Sequence, residues 1–218
     1  MSEDSRGPWP GQFAPPQRFL APVPPPPPKS TRLWVGLSAL AAVLLAAVTW
    51  LVVATTTGPS GAPAADVDQG TSVVTARDGR SRLTLPTQWK ELPPEYRGEA
   101  SVLTYGQIYQ ERYVMVITDE KAGFADFADF EETAIDSMAA MPDYATVDQG
   151  EELTVGGHPA VRYEVTTKIT GVDALFWYTL VNGENGYYQV ISWTLAERRE
   201  SAEPALRQIV STFEEIPG

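Results

Sequence analysis

Hydrophobic positions recur along this chain in three ways, and each predicts a different kind of element. Between Leu33 and Ala54 they run unbroken: LWVGLSALAAVLLAAVTWLVVA carries no charged residue. A helix of about 20 apolar residues crosses a hydrocarbon core of about 30 Å. Inside lipid a lone segment must pair its own backbone groups, which a helix does. Residues 33–54 are therefore predicted to form a transmembrane helix. Trp34 and Trp50 stand about 24 Å apart on such a helix at ~1.5 Å per residue, which brings both indoles to the interfaces they favour.

Beyond residue 70 the spacing changes to two. Val73–Ala76 and Arg82–Leu85 read as short strands around the turn pair Asp78-Gly79. Ser101–Tyr105 and Arg112–Thr118 follow the break at Pro93-Pro94. In the second of these, Tyr113, Met115 and Ile117 oppose Val114 and Val116. Both faces are apolar, which predicts a central strand. Four more strands come later, at Val147–Val155, Ala160–Ile169, Ala174–Val181 and Tyr187–Thr194. Gly156-Gly157 and the Asn182-Gly183 and Asn185-Gly186 pairs punctuate them. Ala160–Ile169 alternates Val161, Tyr163, Val165, Thr167 and Ile169 with Arg162, Glu164, Thr166 and Lys168. This predicts a meander of antiparallel hairpins with one solvated face.

Twice the period becomes helical. Phe127, Phe130, Ala134, Met138 and Met141 form one stripe over 126–141. Asp126 is placed as its N-cap, acids crowd the first turns where the helix dipole favours them, and Pro142 is its stop signal. Leu206, Ile209, Val210 and Phe213 form a second stripe from about Ala202 to Phe213, with Pro204 expected in the first turn, where a missing N–H costs little. Strand runs with segregated helices predict the α+β class, an antiparallel sheet covered by two helices.

Residues 1–32 hold Pro8, Pro10, Pro15, Pro16, Pro22 and the run Pro24–Pro28. Proline fixes φ and removes a donor, so a disordered tail with polyproline II character is expected. It reads either as a spacer or as a docking strip, the latter kept open by Trp9, Phe13 and Phe19. Residues 55–71 read as a flexible linker of small and polar residues broken by Gly and Pro. The predicted division is tail 1–32, span 33–54, linker 55–71 and folded domain 72–218.

Charge sets the orientation. Lys29 and Arg32 precede the span, and no basic residue follows it until Arg77. The tail is then cytoplasmic and the domain extracytoplasmic, in the cell membrane as a single pass. The apolar run exceeds the ~7–15 residues of a signal peptide, although Ala62-Pro63-Ala64-Ala65 is a passable processing site. The chain's net charge of −12 lies in the domain, while the tail is slightly positive. Such a domain repels phosphate backbones, so nucleic acid is not expected as a partner.

The chain has no cysteine, which excludes disulfides, thiolate metal sites and a cysteine nucleophile. His158 is the single histidine and sits in a turn context beside Pro159, without a nucleophile motif. The acidic pairs Asp119-Glu120, Glu131-Glu132, Glu151-Glu152 and Glu214-Glu215 raise a two-carboxylate hydrolase. Adjacent strand residues, however, point to opposite faces. No catalytic, cofactor-binding or metal residue is therefore predicted. Phe176, Trp177, Tyr178, Tyr187, Tyr188 and Trp193 crowd two strands on both faces. Either both faces are covered, or an exposed aromatic patch binds a partner.

The run Leu83-Thr84-Leu85-Pro86 then Trp89, the turn Val155-Gly156-Gly157-His158-Pro159-Ala160, the segment Gly186-Tyr187-Tyr188-Gln189-Val190 and the ending Ile209-Val210-Ser211-Thr212-Phe213 together resemble the Mog1/PsbP-like domain. The whole chain resembles actinobacterial single-pass membrane proteins that carry such a domain outside the cell. The resemblance implies an α/β/α sandwich and a binding or scaffold role in the cell envelope, with a protein partner and no cofactor. Two other readings stand beside it. One is a transmembrane signalling protein whose proline-rich tail docks a cytosolic partner. The other is a carboxylate-dependent envelope hydrolase.

Overall fold

The computed structural model describes residues 70–141, 146–169 and 171–218. The predicted tail, span and most of the linker lie outside them, as does Pro142. Among the described residues no helix is long and apolar enough to cross a membrane.

The strands are β1 (Thr71–Thr75), β2 (Ser81–Pro86), β3 (Lys90–Glu91), β4 (Ser101–Gln107), β5 (Arg112–Asp119), β6 (Thr146–Val147), β7 (Glu151–Val155), β8 (His158–Ile169), β9 (Val172–Asn182), β10 (Tyr187–Leu195) and β11 (Glu214–Glu215). The helices are α1 (Phe127–Ala139) and α2 (Arg199–Ser211). The main sheet runs β3-β4-β5-β10-β9-β8, with β6 and β7 both paired to the outer edge of β8. A small sheet runs β1-β2-β11. Every pairing is antiparallel, so the domain is α+β.

Both faces of the main sheet are covered, which corrects the expectation of one solvated face. On one face α1 lays Phe130, Ala134 and Met138 over Met115, Tyr163, Phe176, Tyr187 and Ile191. On the other, α2 and the small sheet bring Leu206, Ile209, Val210, Leu83, Leu85 and Phe213 against Val114, Val116, Trp177, Tyr188 and Val190. The strands β9 and β10 are buried almost throughout, because sequential residues belong to two cores. Phe176, Trp177, Tyr178, Tyr187, Tyr188 and Trp193 are all buried, so these six form no exposed aromatic patch. Aromatic contacts order the first core: Phe130 stacks on Tyr187 at 4.9 Å and Trp193 on Tyr113 at 5.2 Å between ring centroids.

The helix starts have different chemistry. The Asp126 carboxylate accepts from the Asp129 amide at 3.0 Å, and the Asp129 carboxylate accepts from the Ala125 amide at 2.9 Å. This reciprocal pair satisfies amides that the helix leaves free, as the predicted N-cap required. α2 begins at Arg199 after a 3-10 turn, earlier than the apolar stripe indicated. Pro204 is therefore inside the helix, where its ring removes one backbone bond, rather than in the first turn. Ion pairs tie the helix to the sheet on either side of Pro204. Arg199 grips Glu164 on β8 at 2.6 and 2.8 Å, and Glu164 also accepts from the buried Trp177 indole at 3.1 Å. Glu203, Arg207 and Glu151 continue the ladder to Arg162.

The predicted strand Val147–Val155 is two strands. β6 and β7 share β8 as partner, separated by Asp148, Gln149 and Gly150. A side chain at Gly150 would come within 2.7 Å of Val161 and 2.9 Å of the Tyr163 ring. The chain crosses close over β8 there, which only glycine permits.

Candidate functional site

Two buried carboxylates, one at each end of the main sheet, organise the polar chemistry of the domain. At the end where β9 turns into β10, Glu215 comes in from β11. Its carboxylate accepts from the Glu184 amide at 2.6 Å, the Asn185 amide at 2.7 Å and the Tyr188 hydroxyl at 2.8 Å. His158 Nε2 stands 3.4 Å away, and the Glu215 side chain is 3% exposed. A side chain at Gly183 would meet the Tyr188 ring at 2.6 Å and Glu215 Oε2 at 2.7 Å, so the turn closes around the carboxylate only because that position is glycine. Burial alone would raise the Glu215 carboxyl. The amides of Asn185 and Glu184, the Tyr188 hydroxyl and His158 outweigh it and hold the group below its ordinary value. Burial, then Glu215, pushes the Tyr188 hydroxyl far up. Arg80 closes the outside, donating to the Asn185 carbonyl at 2.6 Å and pairing with Glu120.

His158 is thus the first residue of β8, paired with Val155, and its imidazole faces a carboxylate that sequence reading left in a separate acidic pair. A histidine beside a carboxylate needs a nucleophile on its other side for triad chemistry. The hydroxyl here belongs to Tyr188 and donates to the same carboxylate. The cluster ties β11, β8 and the β9–β10 turn together.

The other acidic pairs also divide. Asp119 accepts from Gln189 at 3.1 Å while Glu120 pairs with Arg80. Glu214 binds Arg82 on the side opposite Glu215. Glu131 accepts from the Tyr163 hydroxyl, and Glu151 lies 3.7 Å from Arg162. Among the described residues no three histidine or carboxylate groups converge to hold a metal ion.

At the opposite end, the β4–β5 hairpin turns through a 3-10 segment, Ile108–Gln110, and then Glu111. Glu111 has φ 56, the one left-handed non-glycine residue among those described. Its carboxylate is buried, with Arg198 Nε at 3.2 Å. Burial pushes this carboxyl up, Arg198 pulls against it, and Glu197 adds to it. Gln107 Oε1, Gln110 Oε1 and Thr194 Oγ1, from the same end of the sheet, are buried with no hydrogen-bond partner among the described residues. Ile108 packs against the first core, and Arg112 donates to the Ser201 carbonyl at 2.7 Å. Between these fixed points Tyr109 projects outward, 91% exposed. A bare tyrosine at the tip of an anchored hairpin offers a large amphipathic contact surface at low entropic cost.

Sequence reading passed over Tyr109, because it falls between two strand patterns and belongs to neither. It also missed Glu215, whose partners lie 27 to 57 residues away and meet only in the fold.

The layered α+β arrangement is a PsbP-like fold, and two solved structures share it. LpqN of Mycobacterium tuberculosis, described as involved in cell envelope biogenesis, matches with TM-score 0.50 and 15% identity over 70% of this chain and 94% of that one. Cyanobacterial PsbP (CyanoP) of Synechocystis sp. PCC 6803 matches with TM-score 0.50 and 12% identity over 73% of this chain and 100% of that one. At these identities the likeness is one of fold. No family model and no curated relative matches the sequence.

Proposed function

We propose that this chain is a non-catalytic binding module of the cell envelope. Residues 33–54 anchor it in the membrane, residues 1–32 lie in the cytoplasm, and the domain from residue 72 holds a protein partner outside. The observation that carries this reading is Tyr109, exposed at the tip of a hairpin whose base is fixed by Ile108, Glu111 and Arg112. The buried Glu215 carboxylate, by contrast, is engaged by the domain's own donors, and Glu111 faces Arg198. Support comes from the PsbP-like fold and from LpqN, whose described role is in the envelope. The apolar run and its flanking charges support the anchor.

A photo-crosslinking residue in place of Tyr109, in the full-length chain in intact cells, tests it. One discrete protein adduct is expected, and it should persist when residues 1–28 are deleted. Loss of the adduct on that deletion would move the working end to the tail. A substrate turned over by the purified domain, and abolished by one point substitution, would replace the reading with an enzyme.

A further inference from the structure

The sheet edges differ in how they are closed. β3 at one edge of the main sheet is two residues long and carries Lys90 and Glu91. The other edge is split between β6 and β7, and β7 opens with Glu151 and Glu152. In the small sheet β11 is Glu214-Glu215, and the free side of β2 is occupied: the Thr212 hydroxyl accepts from the Thr84 amide at 3.0 Å, donates to the Ile209 carbonyl at 2.6 Å and stands 3.2 Å from the Thr84 carbonyl. Short length, charge and covering groups are the usual guards against strand addition.

Among the described residues β1 has neither charge nor covering groups. It reads Thr71-Ser72-Val73-Val74-Thr75, with no charge, no proline and no break in its pairing. Its outward groups follow from the ladder. The Thr87 amide donates to the Gly70 carbonyl and the Ala76 amide to the Ser81 carbonyl. These two bonds fix the parity of the antiparallel register, so Ser72 and Val74 bond β2 while Thr71, Val73 and Thr75 turn N–H and C=O away from it. The next outward amide in the series, Arg77, is taken by the Val102 carbonyl of β4 at 2.8 Å. Upstream of it no described residue occupies the edge, and Val73 is 61% exposed.

The segment is self-complementary. A second copy laid antiparallel and centred on Val73 pairs Thr71 with Thr75 of the partner, Val73 with Val73, and Thr75 with Thr71. All three are outward-facing positions, so each pairing exchanges two hydrogen bonds. β-branched residues meet β-branched residues, and no like charges are opposed. We infer that β1 is a dimerisation edge, joining two copies of this chain by an antiparallel β1–β1 pairing with its two-fold axis at Val73. The small sheets of the two copies then form one continuous six-stranded sheet.

The chain has no cysteine, so Val73→Cys places one thiol per copy on the proposed axis. Paired residues at such a position have Cα atoms about 5.5 Å apart, within reach of a disulfide. Mild oxidation of the full-length chain in lipid vesicles should convert Val73→Cys largely to a covalent dimer. Tyr109→Cys, exposed but off the edge, should stay monomeric. Without oxidation, Val73→Lys should weaken self-association by about tenfold or more, because two ammonium groups then face each other across the axis. Its melting curve should stay close to the parent's, since the side chain is exposed. The inference is overturned if Val73→Cys crosslinks no better than Tyr109→Cys, if Val73→Lys leaves the parent's self-association unchanged, or if the thiol is captured by a different protein.

Discussion

The two ends of the main sheet each bury a glutamate, and they handle it in opposite ways. Glu215 receives two backbone amides and a tyrosine hydroxyl, with an imidazole beside it. Glu111 has one arginine neighbour and a left-handed backbone. One carboxyl is held below its ordinary value and the other above it. Among the described residues, buried side-chain oxygens without a partner occur at both ends, Ser81 Oγ and Thr118 Oγ1 near Glu215 and Gln107 Oε1, Gln110 Oε1 and Thr194 Oγ1 near Glu111. The Glu111 end alone carries the left-handed backbone strain and the bare Tyr109. Strain of this kind persists only where the surrounding structure fixes it, and it collects at working surfaces. The contrast teaches that one end of this domain ties three segments together through a single carboxylate, while the other leaves an aromatic side chain bare.

The largest effect should come from Glu215→Ala. It leaves two turn amides and the Tyr188 hydroxyl without an acceptor, and urea unfolding of the domain should show a loss of about 3 kcal/mol. If the loss is no greater than that of an exposed substitution, the hub is ornamental and the contrast fails.

The pH dependence should differ in sign between the ends. Both carboxyls have an ordinary value of 4.5. Glu215 is depressed, so its contribution is present above that value and is lost as pH falls through the lower folded one. Glu111 is raised, so its contribution is present below that value and is lost as pH rises through the higher folded one. Relative to the parent, Glu111→Gln should therefore gain stability as pH rises above 4.5, and Glu215→Gln should lose it as pH rises toward 4.5 from below. Parallel shifts in the two variants' unfolding midpoints would show that the ends are electrostatically alike.

Glu111→Gly should raise stability by about 1 kcal/mol, since glycine takes the left-handed conformation without steric penalty. The Arg198 side chain it releases is already 49% exposed and rehydrates at little cost. Thermal unfolding measures this. Tyr109→Ala should change stability by less than about 0.5 kcal/mol while weakening recovery of the partner that the crosslink at position 109 identifies, which separates display from folding.

The sequence made the main architecture legible wherever a period ran long enough to be read. β5 is apolar on both faces at its centre, β8 alternates in sequence from Val161 to Ile169, and each helix carries a stripe of three or four buried residues. Elements of two residues, β3, β6 and β11, have no period and were invisible. The covering of both sheet faces was half legible: the apolar run of β9 announced it, but the polar alternation of β8 argued against it. In the structure the ladder between Glu164, Arg199, Glu203 and Arg207 covers that polar face with α2. Neither end of the sheet was legible as a site. The Glu215 cluster draws on three segments far apart in sequence, and the left-handed turn at Glu111 has no glycine or asparagine to mark it.

The small sheet also sets how the domain bears load. A force applied to the chain before Gly70 reaches the β1–β2 ladder at its open end, farthest from the turn. It meets the Gly70–Thr87 bond first and then the rungs at Ser72 and Val74 singly. Peeling of this kind breaks bonds in succession rather than together. It would halt at Arg77, whose amide and guanidinium are fastened to β4 through Val102 and Ser101. The first strand can thus pay out as a short slack line under tension while the main sheet stays whole.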